Sequence, residues 1–223
     1  GHAPYVSGRM LSAYLCGGPN TCHETRDRKE ALEKLRSGMF VDARDSSITK
    51  NVQEVYEGVK GVRFFDHLCL CTDDREADDI LHVGHMNDVV RSAIRCGMDP
   101  VTAIKSATLN TAREIHLENL GAIAPGYVAD MLLVDDLTEL KPSHVFFGGK
   151  LVARDGKLTV EIPHREYPLE KVNTMCVKEL SREDFVIHAP VENGTVTVHV
   201  MEYPDLNLSS TLLTTAQLPV KNG

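Results

Sequence analysis

The chain has 223 residues, 42% of them apolar, and a net charge of -8. That apolar share builds a real core and excludes a disordered tail, while an acidic balance without a basic run interleaved with aromatics argues against a nucleic-acid partner. Apolar runs fall far short of the roughly 20 residues of a membrane helix, and no charged-then-apolar leader opens the chain, so the expectation is a soluble, cytoplasmic protein with no membrane partner.

A helical pattern runs from Gly8 to Leu15 and stops at Gly17-Gly18-Pro19. A short strand then reaches His23. Arg28 to Ser37 places Ala31, Leu32 and Leu35 at helical spacing, Gly38 ends that helix, and Met39 to Ala43 reads as a strand. Val52, Val55, Tyr56 and Val59 mark a third amphipathic helix, and His67 to Thr72 a third strand. Met86, Val89, Val90, Ala93 and Ile94 mark another helix ending at Gly97, and Asp99-Pro100 opens the next, through Ala103, Ile104 and Ala107. Helices alternating with single short strands predict parallel strands joined by crossover helices, about half of an eightfold barrel.

The texture changes after Leu117. Ala129 to Asp135 is an apolar strand, Val145 to Phe147 and Leu151 to Ala153 flank Gly148-Gly149 as a hairpin, and Gly156-Lys157 is another turn signal. Phe185 to His188 and Thr195 to Val200 read as two strands around Asn193-Gly194. Residues 205 to 223 show no clear period. The expected division is therefore 1–117, the barrel half, and 118–223, a small β-sandwich with the C-terminal region. The fold class is α/β: a partial (β/α)8 TIM-type barrel, strands five to eight with their helices, followed by part of a sandwich.

Three segments sit where a strand ends and a helix begins: Gly1-His2-Ala3-Pro4, Thr21-Cys22-His23-Glu24 and Cys69-Leu70-Cys71-Thr72-Asp73-Asp74. Two imidazoles and an acidic pair at successive strand ends suit a metal site at a barrel mouth, since rigid strands there hold neutral imidazole and carboxylate toward a borderline cation. Two carboxylates closing a buried strand also demand a cation, hydrogen bonds or a proton. Asp78 and Asp79 read instead as the acidic first turn of a helix. Glu24 adjoins His23 and turns away from it unless the loop folds it back over the mouth. His82 and His85 precede a helix and read as solvated loop residues. The six cysteines contain no CxxC pair and, spread through expected cores, read as reduced buried thiols, with Cys69 and Cys71 on the face of Asp73 as small fillers beneath the site.

The segments GHAPYVSG, TCHE, CTDDREADDILHVGH, DPVTAIKSATLNTA and LGAIAPGYVADMLLVDDL, in this order, resemble the C-terminal half of bacterial-type adenine deaminases of the amidohydrolase superfamily, over about residues 1 to 203. The resemblance implies a distorted barrel with a small sandwich, and a binuclear divalent-metal site holding Mn, Fe or Zn. It also implies hydrolytic deamination of adenine to hypoxanthine in purine salvage. Carried over, His2 and His23 are metal ligands ending the fifth and sixth strands. Asp73 is the carboxylate ending the eighth, both a ligand and a proton carrier, and Glu24 and Asp74 contact ring nitrogens. Cys22, Thr111 and Tyr5 depart from the family's usual aspartate, proline and glycine. The His-x-His pair that the family supplies from its N-terminal half has no counterpart in this sequence, so the chain is expected to be a fragment with little activity alone. Its uncovered sheet edges and apolar helix face are expected to drive aggregation, dimerisation or pairing with a missing segment, and the expected assembly is a homo-oligomer. A cyclic amide hydrolase or deacetylase of the same superfamily, or a non-catalytic module, are the alternatives.

Overall fold

A computed structural model describes residues 1–203 and 211–222, which pack as two units: 1–160, and 161–203 with 211–222. Three strands of the first unit, β1 (Thr21–Cys22), β2 (Phe40–Arg44) and β3 (Leu68–Cys71), form a parallel sheet in the order β1-β2-β3. Thr21 pairs with Phe40, and Val41 to Arg44 pair in step with Leu68 to Cys71. Helices α1 (Gly8–Cys16), α2 (Arg28–Arg36) and α3 (Val52–Val59) precede or link these strands. Then α4 (Ala77–His82), α5 (Met86–Arg95), α6 (Pro100–Ala107) and α7 (Leu109–Glu114) follow. His2 lies in no strand: a single rung, His23 N–H donating to Gly1 O at 3.1 Å, sets its segment beside β1.

Local chemistry fixes the helix ends. Asp27 accepts from Glu30 N–H at the start of α2, and Asp99 from Thr102 N–H at the start of α6, whose first residue is proline. After α2, Gly38 takes a φ of +83°. Gly38 N–H then reaches Leu35 O at 3.1 Å and Met39 N–H reaches Lys34 O at 3.1 Å, closing the carbonyls in a Schellman turn that leads straight into β2. The acidic turn expected at Asp78 and Asp79 is the first turn of α4.

Strand alternation sorts the sheet into two faces. Val41, Ala43, Leu68 and Leu70 point into a core shared with Ala31 of α2, Val52, Val55 and Val59 of α3, Val89 and Ala93 of α5 and Ala103 of α6. Asp42, Arg44, Cys69 and Cys71 alternate with them and so lie on the other face, which carries the polar chemistry.

The rest of the first unit is a four-stranded antiparallel sheet, β4 (Met131–Val134), β5 (Pro142–Phe147), β6 (Lys150–Arg154) and β7 (Lys157–Leu158), in sequence order. The hairpin at Gly148-Gly149 is where the turn chemistry places it. Val134 and Leu140 join the core of the helical part.

The second unit contains a short helix α8 (Leu169–Val172) and a hairpin of β8 (Asn193–Glu202) with β9 (Leu212–Lys221). Two expectations are corrected here. Phe185 to His188 is not a strand: Arg182–Phe185 is a 3-10 turn fixed by a Ser181/Asp184 capping box, and among the described residues no strand pairs with the residues that follow. Asn193-Gly194 is not a turn between strands but the start of β8, whose partner is β9, in the stretch that showed no period. Residues 205–210 and 223 of that stretch, with residue 204 before it, lie outside the described residues. Among the described residues no helix is long and apolar enough to cross a membrane.

Candidate metal centre

The loop after β1 does fold Glu24 back. Its side chain is 3% exposed, and its Oε2 lies 3.7 Å from His2 Nδ1 and 3.9 Å from His23 Nε2. The two imidazoles meet edge to face, with centroids 5.4 Å apart. One ligand atom from each of His2, His23 and Glu24 falls within 4.8 Å of the others.

Asp73 reaches this group through an arginine. Arg44, at the C-terminal end of β2, is buried; its Nη2 lies 2.9 Å from Glu24 Oε2, and its Nη1 pairs with Asp73. Asp73 takes a φ of +51° just beyond β3, a left-handed turn that aspartate tolerates better than most residues. Arg26 adds a second cation, its Nη2 3.5 Å from Glu24 Oε1 and its guanidinium carbon over the Tyr5 ring. Asp74 is exposed beside the group, not gathered into it, and its carbonyl accepts from Ser47 N–H. His82 pairs with Asp78 on the surface, and His85 caps α5.

The residues that hold the loops escaped the sequence reading. Lys34 of α2 is fully buried: its Nζ donates to Ala3 O at 2.7 Å and to Glu30 Oε1 at 2.6 Å, and sits 3.2 Å from Cys22 Sγ. Glu30 in turn accepts from the backbone N–H of Tyr5 and of Arg26, each at 2.9 Å. One ion pair thus ties the segment carrying His2 to the loop carrying Glu24. Asn51 does the same between β1 and β2, accepting from Arg44 N–H at 2.7 Å and donating to Thr25 O at 3.0 Å. Arg44 itself had a signal, the last position of a strand whose alternate residues are buried, but the expected strand stopped at Ala43.

Electrostatics prepare the imidazole. Burial lowers the pKa of His23 below its ordinary value; Arg44 and the N-terminal amine push the same way, against Asp73 and Glu24. His23 is therefore neutral at pH 7, the form that binds a metal. Two imidazoles and a buried carboxylate within one cation's reach form the donor set of a borderline divalent ion, so the residues fit such a metal.

Residues 12–152 match the profile of the amidohydrolase family. The chain is 40% identical over 193 residues to an adenine deaminase of Kosmotoga olearia, covering 86% of this chain and 33% of that protein. It is 38% identical over 231 residues to adenine deaminase 1 of Carboxydothermus hydrogenoformans, covering 100% and 37% respectively. The chain thus spans about a third of the length of the curated relatives it matches. Among solved structures, a β-aspartyl dipeptidase of Fervidobacterium islandicum AW-1 superposes with a TM-score of 0.52 at 22% identity, over 71% of this chain and 48% of that one, a likeness of fold.

Proposed function

From the premise that the chain belongs to the amidohydrolase family, we propose that it is the C-terminal portion of an adenine deaminase, with strands five to eight of a barrel and the start of its sandwich. The catalytic part is residues 1–117, and the rest is the β-rich accessory region. The single observation that carries the reading is the convergence of His2, His23 and Glu24, with Asp73 linked to them through Arg44. That convergence is joined by about 40% identity to adenine deaminases across most of the chain.

In this reading His2, His23 and Asp73 hold a divalent cation, Mn, Fe or Zn, with Glu24, the carboxylate already within the same cation's reach, beside them; the second metal of the pair depends on ligands beyond this chain. When bound, the metal supplies hydroxide at neutral pH and Lewis acidity toward a poorly electrophilic ring carbon. The chain's own residues do the rest. Asp73 takes a proton from the attacking water and delivers it to the departing amine, and Arg44 fixes the carboxylate for that exchange. Glu24 and Asp74 address ring nitrogens, and protonation there must accompany attack. The partner is a small molecule, adenine, and the complete protein is a cytoplasmic homo-oligomer of purine salvage.

The test is ammonia and hypoxanthine formation from adenine by the complete reading frame that contains this chain, supplied with Mn2+. Turnover is expected, falling by on the order of 1,000-fold or more in His23→Ala. A folded, metal-loaded protein that leaves adenine untouched but opens a cyclic imide would replace this reading with the cyclic amide hydrolase.

A further inference from the structure

A second group of ligand-type side chains lies on the polar face of the parallel sheet, apart from the histidines. Asp42 of β2 stands directly opposite Cys69 of β3 in the ladder, and both are buried, at 8% and 1% exposure. Glu114, the last residue of α7, reaches them. That helix is pinned to the start of β3 by Asn110, whose Nδ2 donates to Phe65 O at 2.6 Å and Leu68 O at 2.9 Å, so Glu114 is held in a fixed relation to Cys69. A carboxylate oxygen of Asp42, the Cys69 sulfur and a carboxylate oxygen of Glu114 lie within 4.8 Å of one another.

The charge balance of this group is unresolved by protein atoms. Asp42 Oδ1 is buried without a hydrogen-bond partner. The groups facing it are Glu114 from α7 and the thiols of Cys69 and Cys71 from β3; Thr111 of α7 offers Cys69 a hydroxyl. Arg44, two residues along β2, is engaged with Glu24 and Asp73. A buried carboxylate facing a second, half-buried one needs either a shared proton or a cation.

We propose that Asp42, Cys69 and Glu114 form a second divalent-cation site, for a borderline metal such as Zn2+, built into the parallel sheet and independent of the histidine cluster. One thiolate with two carboxylates favours Zn2+ and its analogues Co2+ and Cd2+ over the hard ions Mg2+ and Ca2+. Protons compete with the cation for this group, on the carboxylate pair and on the Cys69 thiol, whose pKa burial and the two carboxylates raise, so affinity is expected to rise with pH. Binding releases to solvent the Cys69 thiol proton and whatever proton the carboxylates share, and the freed lone pairs of sulfur and oxygen become the metal bonds. The site stands or falls separately from the adenine reading.

The experiment uses the whole chain with His2→Ala and His23→Ala, which removes the histidine cluster, titrated anaerobically with Co2+. One equivalent is expected to bind with a near-ultraviolet thiolate-to-cobalt charge-transfer band. Adding Cys69→Ser abolishes the band, and Asp42→Asn weakens binding by about 100-fold, the upper range for loss of even an outer partner. Absence of the band in the double variant, or its survival in Cys69→Ser, overturns the proposal. Because variants can fail to fold, X-ray absorption of the unaltered chain loaded with two equivalents of Zn2+ gives a second reading. A sulfur shell at about 2.3 Å is expected, and a shell of nitrogen and oxygen alone overturns the site.

Discussion

Lys34 holds a fully buried ammonium group, and the bonds its side chain makes bear on the histidine cluster. Its bond to Ala3 O fixes the residue beside His2, and its pairing with Glu30 fixes a carboxylate that also binds Tyr5 and Arg26. Replacing it with methionine keeps the bulk but strands Glu30 in a buried site. Lys34→Met is expected to lower the unfolding free energy in urea by about 3–5 kcal/mol. Divalent-cation affinity at His2 and His23 should also weaken by about 10–100-fold in calorimetry. An unchanged affinity in a folded variant would show that the N-terminal segment is positioned by something else. Nothing in the sequence marks Lys34 as different from the other lysines of a charged helix. Its burial comes from the chain passing over α2 at residues 3 to 5, a contact that spacing along α2 does not encode. His23 and Asp73 stand out in the sequence because each follows a short strand, whereas His2 lies in no strand and is set beside β1 by a single backbone rung. Arg44 does not stand out, because a single arginine after an apolar strand most often meets water.

Helices α2 and α3 touch through their backbones at Gly58. A Cβ built there would stand 2.4 Å from Arg28 O and 2.6 Å from Arg28 Cα, atoms that cannot swing aside. Alanine improves helix propensity by about 1 kcal/mol, but the two helices must separate to admit it. Gly58→Ala is therefore expected to destabilise the chain by about 1–3 kcal/mol in chemical denaturation, and a stabilised variant would refute the close approach. At this scale most of the first unit could be read from periodicity and breakers. The apolar stripes of α3 and α5 and the glycines after α2 and α5 act locally, within one or two turns. The hairpin of β8 and β9 could not, because the partner of a strand is chosen across the chain: β9 lacks a clean alternation, and its register exists only against β8. The same reasoning accounts for Phe185 to His188, whose β-forming composition finds no strand to pair with among the described residues while Ser181 and Asp184 close a local turn.

Two groups near the candidate sites, buried Asp42 and half-buried His23, pull the pH response in opposite directions. Asp42 has its pKa raised from 3.8 to about 7, first by burial and then by Glu114. Between those values the native state holds more protons than the unfolded chain, so this group's contribution to stability falls as pH rises from about 4 to 7. His23 has its pKa lowered below 6.5 by burial. The native state there holds fewer protons than the unfolded one, so its contribution rises with pH through that region. With metals chelated, Asp42→Asn should gain stability relative to the unaltered chain by on the order of 2 kcal/mol at pH 8 compared with pH 5. Urea midpoints at the two pH values check this, and equal differences at both would remove the buried-carboxylate account.

By itself the sequence determined the helix and strand pattern of the first unit, the antiparallel turn signals after residue 117, and which strand ends carry imidazole and carboxylate. Those features depend on contacts a few residues apart, where side-chain period and turn chemistry leave few choices. Only the tertiary structure decided that Glu24 turns inward, that Arg44 links it to Asp73, that Lys34 and Glu30 brace both loops, and that Asp42 meets Cys69 and Glu114. Each of those depends on which distant segments exclude water together, and burial is what turns an ordinary charged residue into a ligand, a brace or a proton store.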